Sequence, residues 1–276
     1  KNLPPFGLGL LPGKTLITKL RNRLLNLLFE KVLFKDVQAH VNRIRKKVGL
    51  EAFDKSFFIK GYEIPDLVLH TSTPLFEYSR NTIADNFRFI GPVLIAENTE
   101  YTMPDWWPKL DKSLPVILLS QGTVAKDTDD LVRPAIDALT DEQVNVIIVP
   151  VEEGALNELP ENMYIAPYIP FGNLLPHIDI MISNGGLGGT QNALAHGIPV
   201  IIAGATEDKM EVAARVEYSG AGINLRKQSP SALEIKNAVN SILQNPTFKQ
   251  KAIELQADYA KYDAVKLAVE SIEELI

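Results

Sequence analysis

The stretch Ile178-Asp179-Ile180-Met181-Ile182-Ser183 runs directly into Asn184-Gly185-Gly186-Leu187-Gly188-Gly189-Thr190, and this junction decides the fold. A short apolar run that ends in a glycine cluster and then in a helical pattern, here 190–195, is typical of a buried strand turning into a helix. Glycine allows close approach to a backbone, and N–H groups at a helix N-terminus attract anions. The junction therefore predicts an α/β protein with a phosphate site.

Two better-known phosphate motifs do not fit the glycines of this chain. A dinucleotide fingerprint built on Gly186-Leu187-Gly188 requires Gly at position 191, which is Gln. A phosphate loop over residues 7–15 requires Gly at position 8, which is Leu, and no strand precedes it. These mismatches remove the main support for a dehydrogenase. A tight strand-to-helix turn without a ligand remains an alternative for the cluster at 184–189.

Strand and helix patterns alternate on both sides of the junction. The predicted strands are 116–120, 144–149, 164–166, 178–183, 200–203 and 222–225. The predicted helices are 128–139, 190–195, 209–218, 230–243 and 247–259. This order predicts a parallel doubly wound sheet. Ligands bind such sheets at the carboxyl ends of the strands, where the loops 121–123, 184–189 and 205–209 would gather.

The first hundred residues show a different sequence pattern, with two predicted helices before two short predicted strands. Leucines at helical spacing predict a helix from Leu16, a second helix is predicted over 36–48, and short strands over 67–70 and 87–90. Residues 14–55 hold 11 basic and 4 acidic side chains, a net charge of +7. We expect both apolar stripes to pack on a core. The alternative is contact of residues 16–47 with an anionic membrane surface.

Composition narrows the class of protein. The 276 residues carry a net charge of −6, which disfavours broad nucleic-acid binding, and they include no cysteine. The four histidines, at positions 40, 70, 177 and 196, have no second histidine or carboxylate at metal-ligand spacing. We therefore expect no metal, no cofactor and a cytoplasmic protein. Trp106 and Trp107 lie in a polar segment, 96–113, which predicts a linker with both rings packed at an interface.

Taken in order, several short motifs resemble one enzyme family. They are Ser120-Gln121-Gly122-Thr123, Tyr168-Ile169-Pro170-Phe171, the glycine cluster, Ala193-Leu194-Ala195-His196-Gly197-Ile198-Pro199 and Glu207-Asp208-Lys209. This order resembles the donor-binding domain of GT-B fold UDP-glycosyltransferases, in the group that includes bacterial macrolide and glycopeptide glycosyltransferases. The resemblance implies a hexosyltransferase that moves a sugar from a UDP- or TDP-sugar to a hydroxyl of a small-molecule or lipid acceptor.

The resemblance also implies roles for particular residues. The loop of Gln121, Gly122 and Thr123 would face the diphosphate, the backbone around Tyr168, Ile169 and Pro170 would hold the base, and Asn192 would bond the ribose. Glu207, Asp208 and Lys209 would bond sugar hydroxyls, although Thr206 as a helix N-cap is an alternative explanation of that stretch. The residues expected to cradle the phosphates are Asn184, Gly185, Gly186, Gly188, Gly189 and Thr190.

Four positions depart from the family pattern. Asn184 stands where the family usually has His, Gly189 where it has Ser or Thr, Asn192 where it has Glu, and Lys209 where it has Gln. Asparagine keeps a hydrogen-bond donor at position 184 but cannot become cationic. Lys209 could offset the donor's negative charge in its place.

The resemblance predicts a division of the chain at 112/113. Residues 1–112 would be the latter part of an acceptor-binding domain with its linker, and 113–260 a Rossmann-like nucleotide-sugar domain. The segment 261–276 would be a helix packing back on the first lobe. The family's catalytic base, a histidine, is expected upstream of Lys1, so we expect this chain alone to be inactive. A non-transferring nucleotide-sugar-binding or regulatory relative is the alternative function.

Overall fold

The first part of the chain is mainly helical. The computed structural model describes residues 3–13, 15–80, 82–122, 127–149, 156 and 159–276. Its first helices are α1 (Leu16–Leu28), α2 (Lys35–Lys47) and α3 (Phe57–Glu63), with a π-helical turn, Phe29–Leu33, between α1 and α2. Two short strands, β1 (Val68–His70) and β2 (Phe87–Phe89), then pair in parallel. Both strand predictions for this part are confirmed.

The second part contains the main sheet. Its strands are β3 (Val116–Ser120), β4 (Asn145–Ile148), β5 (Met163–Ile165), β6 (Ile180–Ser183), β7 (Val200–Ile202) and β8 (Gly222–Asn224). Its helices are α4 (Val132–Leu139), α5 (Phe171–Leu174), α6 (Leu187–Ala195), α7 (Lys209–Ser219), α8 (Ala232–Gln244), α9 (Thr247–Tyr259) and α10 (Ala264–Glu273).

All six strands are parallel and lie in the order β5-β4-β3-β6-β7-β8. The predicted doubly wound sheet is therefore confirmed. Strand order reverses between β3 and β6, and in such sheets the crevice at this reversal receives the ligand. Helix α6 begins at Leu187, three residues before the predicted start, so Gly188 and Gly189 belong to its first turn.

Alternation along the central strands builds two apolar layers. Ile117 and Leu119 of β3 lie on one face with residues of α4 and α8, while Leu118 lies on the other face with residues of α6, α7 and α9. Successive side chains of a strand point to opposite faces, and a parallel sheet covered by helices on both sides needs apolar residues on each. The continuous apolar runs of the sequence follow from this double burial.

The expected burial of the first two helices is wrong for the described residues. Leu16 of α1 is 84% exposed, and Leu20 and Leu24 are each 58% exposed. The loop 3–11 lies along the opposite, polar side of α1, where the Asn26 amide donates to the Leu3 carbonyl at 3.0 Å and Arg21 to Leu11 at 3.2 Å. The leucine stripe of α1 is thus left facing outward. Val37 and Ile44 of α2 are also exposed.

Both linker tryptophans pack against the second part of the chain, and their role between two lobes stays a prediction. The Trp106 indole stacks on Tyr164 with ring centroids 5.1 Å apart and donates its N–H to the Ile165 carbonyl at 3.0 Å. Trp107 meets the His177 ring edge-on at 5.2 Å. Both indoles contact the apolar layer on the α6 side of the sheet. They anchor the linker to the strand edge at β5.

The C-terminal segment contacts the first lobe at one close point. A Cβ placed on Gly91 would lie 2.3 Å from the Cβ of Tyr262, so only glycine fits there. Helix α10 itself leaves Val265, Val269 and Ile272 exposed. The packing of the whole segment on the first lobe therefore stays a prediction, as does the domain division.

A chain of charged side chains joins the first lobe to α7. The Arg215 guanidinium donates to Glu77 at 2.8 Å and to Glu211 at 3.1 Å, and all three side chains are largely buried. Glu77 also contacts His70 at 3.3 Å. Burial would raise the pKa of Glu77, but the hydrogen bond with His70 and the charge of Arg215 lower it to about 2. The pair of Arg215 and Glu77 joins residues 138 positions apart, so no local pattern in the sequence could indicate it.

We expect Glu77→Gln to remove a pH-dependent part of stability. The pKa of Glu77 in the fold, about 2, lies below its ordinary value of 4.5, so its charged form stabilises the fold above pH 4.5 and this contribution is lost as the pH falls through 2. The measured quantity is the difference in urea-unfolding free energy between wild type and Glu77→Gln. This difference should be on the order of 2 kcal/mol larger at about pH 6 than at about pH 3. The exposed variant Glu273→Gln is the control. A constant gap over that range would contradict the role of Glu77.

None of the helices that the structure describes is both long enough and apolar enough to cross a membrane.

Candidate functional site

The loops that follow β3 and β6 meet at the point where strand order reverses. The Asn184 side-chain amide donates to the Gln121 carbonyl, and both residues are buried. Gly122 has φ +79°, and a Cβ there would come within 3.3 Å of the Asn184 amide nitrogen. The two loops therefore form one wall, as the sequence predicted for 121–122 and 184. Thr123 lies outside the described residues.

The glycine cluster divides into packed and open positions. A Cβ on Gly185 would lie 2.5 Å from the Ile202 side chain, and one on Gly189 would touch Met181 and Phe171 at ordinary contact distances. A Cβ on Gly186 or Gly188 would meet no atom within 4 Å. Gly186 and Gly188 are therefore the positions at which a ligand could approach the backbone, whereas Gly185 and Gly189 face the protein.

The open glycines lie at the N-terminus of α6. Gly186 is the N-cap and provides no side chain, and no capping side chain from the described residues reaches the first turn. The backbone N–H groups of Leu187, Gly188 and Gly189 are therefore the unpaired donors of this helix end. Such donors, together with the helix dipole, favour a phosphate.

Two polar residues expected at the site, Thr190 for the phosphates and Asn192 for the ribose, are buried. Thr190 is fully buried, and its hydroxyl has no hydrogen-bond partner among the described residues. Asn192 is 2% exposed; it accepts from the Ile95 backbone N–H at 2.9 Å and donates to the Gly188 carbonyl at 2.8 Å. Asn192 thus ties the linker to α6, and its role toward a ribose stays a prediction.

The loop after β7 brings a cation to the site. Lys209, at the start of α7, is 8% exposed, and its ammonium lies 3.0 Å from a Glu207 carboxylate oxygen and 3.2 Å from the Thr206 hydroxyl. Its Cβ lies near Gly185 and Gly204. Glu207 has φ +55°, and Asp208 is the exposed N-cap of α7, with no capping hydrogen bond from its side chain. The alternative N-cap, Thr206, therefore does not hold.

The proposed base-binding stretch, residues 168–170, directly precedes α5. Tyr168 is 64% exposed, and its carbonyl accepts a hydrogen bond from the Tyr101 hydroxyl at 2.9 Å. Ile169 and Pro170 are buried. The exposed Tyr168 ring can stack on a flat heterocycle, and the role of the backbone at 168–170 toward a base stays a prediction.

Gln228 is a residue of the site region that the sequence did not indicate. Its side-chain oxygen accepts from the Ala205 backbone N–H at 3.0 Å, and its amide donates to Asp130 at 2.9 Å. Hydrogen bonds from Ser229 and Gln228 lower the pKa of Asp130, and the charge of Lys209 adds to that effect. Gln228 fixes the loop after β7 to the segment after β3, and no local motif could have shown this long-range bridge.

The histidines near the site have structural partners. His177 packs on Trp107, and the His196 ring lies 2.8 Å from the Asn192 carbonyl at the far end of α6. Over the described ranges, no group of three or more acidic or histidine side chains could hold a metal ion.

Comparisons with known proteins agree with this arrangement. Residues 134–275 match the family described as erythromycin biosynthesis protein CIII-like, C-terminal domain. Over 276 residues the chain is 41% identical to 4′-demethylrebeccamycin synthase of Lentzea aerocolonigenes, covering all of this chain and 66% of that protein. It is 34% identical to UDP-glycosyltransferase 2 of Phaeomoniella chlamydospora, covering 98% of this chain and 62% of the relative. Since these relatives come from a bacterium and a fungus, the similarity is not confined to bacteria.

A solved structure shares the fold. Spinosyn rhamnosyltransferase SpnG, complexed with thymidine diphosphate, superposes with a TM-score of 0.67 at 22% identity, covering 84% of this chain and 60% of that one. The chain thus spans about two thirds or less of the relatives it matches. The predicted GT-B type of fold is confirmed. The names of these relatives give no support to the non-transferring alternative.

We expect Gly188→Ala to separate stability from ligand binding. Alanine favours a helix over glycine by about 1 kcal/mol, and its methyl would enter open space, so Tm should rise slightly. The same methyl would obstruct a phosphate on the first turn, and affinity for UDP should fall about tenfold or more by titration calorimetry. Gly189→Ala, whose methyl faces the protein, is the matched control. Equal UDP affinity in the two variants would contradict a site at this helix end.

Proposed function

The chain belongs to the erythromycin biosynthesis protein CIII-like family, which it matches in the C-terminal domain, and from that premise we propose that it binds a UDP- or TDP-sugar and serves sugar transfer to an acceptor hydroxyl. The observation that carries the proposal is the open first turn of α6 beside the Gln121–Asn184 contact. The same fold occurs with thymidine diphosphate in one relative, and another is named a UDP-glycosyltransferase.

The chemistry needs stabilisation of a leaving diphosphate. As the glycosidic bond breaks, negative charge grows on the diphosphate, and donors fixed in advance stabilise it most effectively. In this chain the backbone N–H groups of Gly188 and its neighbours would supply neutral donors. Asn184 cannot add a positive charge, because its amide is neutral.

Lys209 is the cation that we assign to the diphosphate. Its ammonium now pairs with Glu207, which is 61% exposed at the side chain and can turn to solvent. A nucleoside diphosphate would then replace the Glu207 carboxylate as the partner of Lys209. Lys209 would keep an anionic partner through this exchange, and its positive charge would add to the neutral N–H donors of α6.

The sugar itself would lie toward the start of α7. Asp208 is exposed there with a carboxylate that caps no helix N–H, and carboxylates accept hydrogen bonds from sugar hydroxyls. The group transferred in this proposal is a hexose. The general base that accepts the proton of the acceptor hydroxyl is not assigned to a residue of this chain.

We expect wild type to bind UDP or TDP, and Lys209→Met to weaken that binding about tenfold at low ionic strength. The advantage of wild type should shrink as salt is added, because ions screen a charge-based contact. Titration calorimetry of UDP, TDP and their glucose conjugates measures both effects. Lys227→Met, which removes an exposed ammonium paired with Glu234, is the matched control.

Absence of binding of every nucleotide by wild type would contradict the proposed function. Equal affinities of wild type and Lys209→Met at low salt would contradict only the role of Lys209.

We also propose that α1 contacts an anionic membrane surface, where a lipid acceptor could be presented. Leucines 16, 20, 24, 27 and 28 are all exposed, and residues 14–55 carry a net charge of +7. An amphipathic helix with an outward apolar face and basic neighbours binds anionic lipid through both features. The cytoplasmic face of a membrane would fit this charge.

Sedimentation with vesicles tests the membrane contact. We expect the chain to pellet with vesicles that contain phosphatidylserine and much less with neutral ones, and the pair Leu20→Glu and Leu24→Glu to abolish pelleting. Leu233→Glu, an equally exposed position on α8, is the control. Pelleting that ignores either lipid charge or the leucines would contradict the contact.

A further inference from the structure

A second anion-binding loop of this chain holds one of its own side chains. The backbone N–H groups of Gly7, Leu8 and Gly9 all donate to the same carboxylate oxygen of Glu211, at 2.9, 3.1 and 3.0 Å. Gly7 has φ +94° and Gly9 φ +58°, conformations that glycine adopts without strain. Successive N–H groups turned to one point in this way form a concave anion site. Here the anion is Glu211, which is 5% exposed.

This contact brings the loop 7–10 against the first turn of α7. A Cβ on Gly9 would lie 2.9 Å from the Met210 carbonyl oxygen and 3.0 Å from its Cβ, so the loop has no room for a side chain there. Met210 directly follows Lys209, and Glu211 follows Met210. The loop thus touches the helix turn that carries the proposed donor contacts.

Between the loop and the sheet lies a cavity of about 140 Å³. The first lobe contributes Leu8, Gly9 and Leu10, while Gly204, Ala205 and Met210 contribute the opposite wall. Asn224 and Arg226 provide the polar part of its lining. Because Ala205 and Met210 flank the segment 206–209, the cavity adjoins the place where the sugar of a bound donor would lie.

We propose that Glu211 is a positioning residue: its carboxylate holds the loop 7–10 as the wall that recognises the glycosyl group of the donor. This inference rests on the proposed function. Since the wall stands at the sugar end and not at the glycine cluster, it contributes to binding of the sugar nucleotide and not to binding of the nucleotide alone. Glu211 touches no substrate in this role.

The other oxygen of Glu211 joins the loop to the ion pairs between the first lobe and α7. It accepts from Arg215 at 3.1 Å, and Arg215 in turn donates to Glu77. Removal of Glu77 would break the outer link of this chain of charges but leave the three N–H bonds of the loop in place. Glu77→Gln therefore distinguishes attachment of the lobes from placement of the loop.

The test compares two ligands on several variants. For each protein, calorimetry gives Kd for UDP and UDP-glucose, and for TDP and TDP-glucose. We expect Gly9→Ala and Glu211→Gln to weaken the sugar nucleotide about tenfold, as loss of one good hydrogen bond does, while the nucleotide alone changes less than about twofold. Glu77→Gln should leave the ratio of the two constants at the wild-type value. Circular dichroism and Tm establish that each variant is folded.

The ratio compared is Kd of the nucleotide divided by Kd of the sugar nucleotide. Gly9→Ala changes the loop without altering Glu211, so a fall in this ratio supports the proposal even if Glu211→Gln does not fold. An unchanged ratio in Gly9→Ala, or the same fall in Glu77→Gln as in Glu211→Gln, would overturn it while the proposed function still held. If wild type bound no nucleotide, the proposed function would fail and this inference with it.

Discussion

The contact between the Asn184 amide and the Gln121 carbonyl marks the constraint on which the site depends. In a parallel sheet, chains that leave neighbouring strands toward opposite faces separate only where strand order reverses, here between β3 and β6. The two loops must therefore be close at their bases and diverge above. Glycine at position 122 lets the two loops touch. The open glycines 186 and 188 lie where the loops separate.

The sequence predicted the sheet well because burial on both faces leaves a local record. Central strands such as β3 are mostly apolar because both of their faces are buried, and such runs alternating with helical patterns favour one main architecture. For α1 and α2 the sequence predicted the helices correctly but not the exposure of their apolar faces. Leucine periodicity shows that a helix has an apolar face, but it carries no information on what lies against that face, and here the loop 3–11 covers the polar side instead.

The sequence predicted that the loops after β3 and β6 meet, but it predicted few of the side-chain contacts around them. It indicated a glycine cluster at the start of α6, but the spacing could not show that Gly186 and Gly188 are open while Gly185 and Gly189 face the protein. Asn192 shows the limit: an amide suited to a ribose is equally suited to a backbone N–H, and Ile95, 97 residues away, supplies one. The bridge of Gln228 to Ala205 and Asp130 likewise joins three segments that no local pattern relates.

The glycines of residues 7–9 also show that a local motif does not identify its partner. Their spacing imitates a phosphate loop, and the backbone does bind an anion, yet that anion is the carboxylate of Glu211, 202 residues from Gly9. A motif of this kind reports the geometry of the N–H groups and leaves open which negative charge will occupy them. At α6 no capping side chain among the described residues bonds the N–H groups, whereas at residues 7–9 a buried glutamate already does so. What distinguishes a ligand site from a structural clamp is therefore the presence of an internal anion, which only the folded chain reveals.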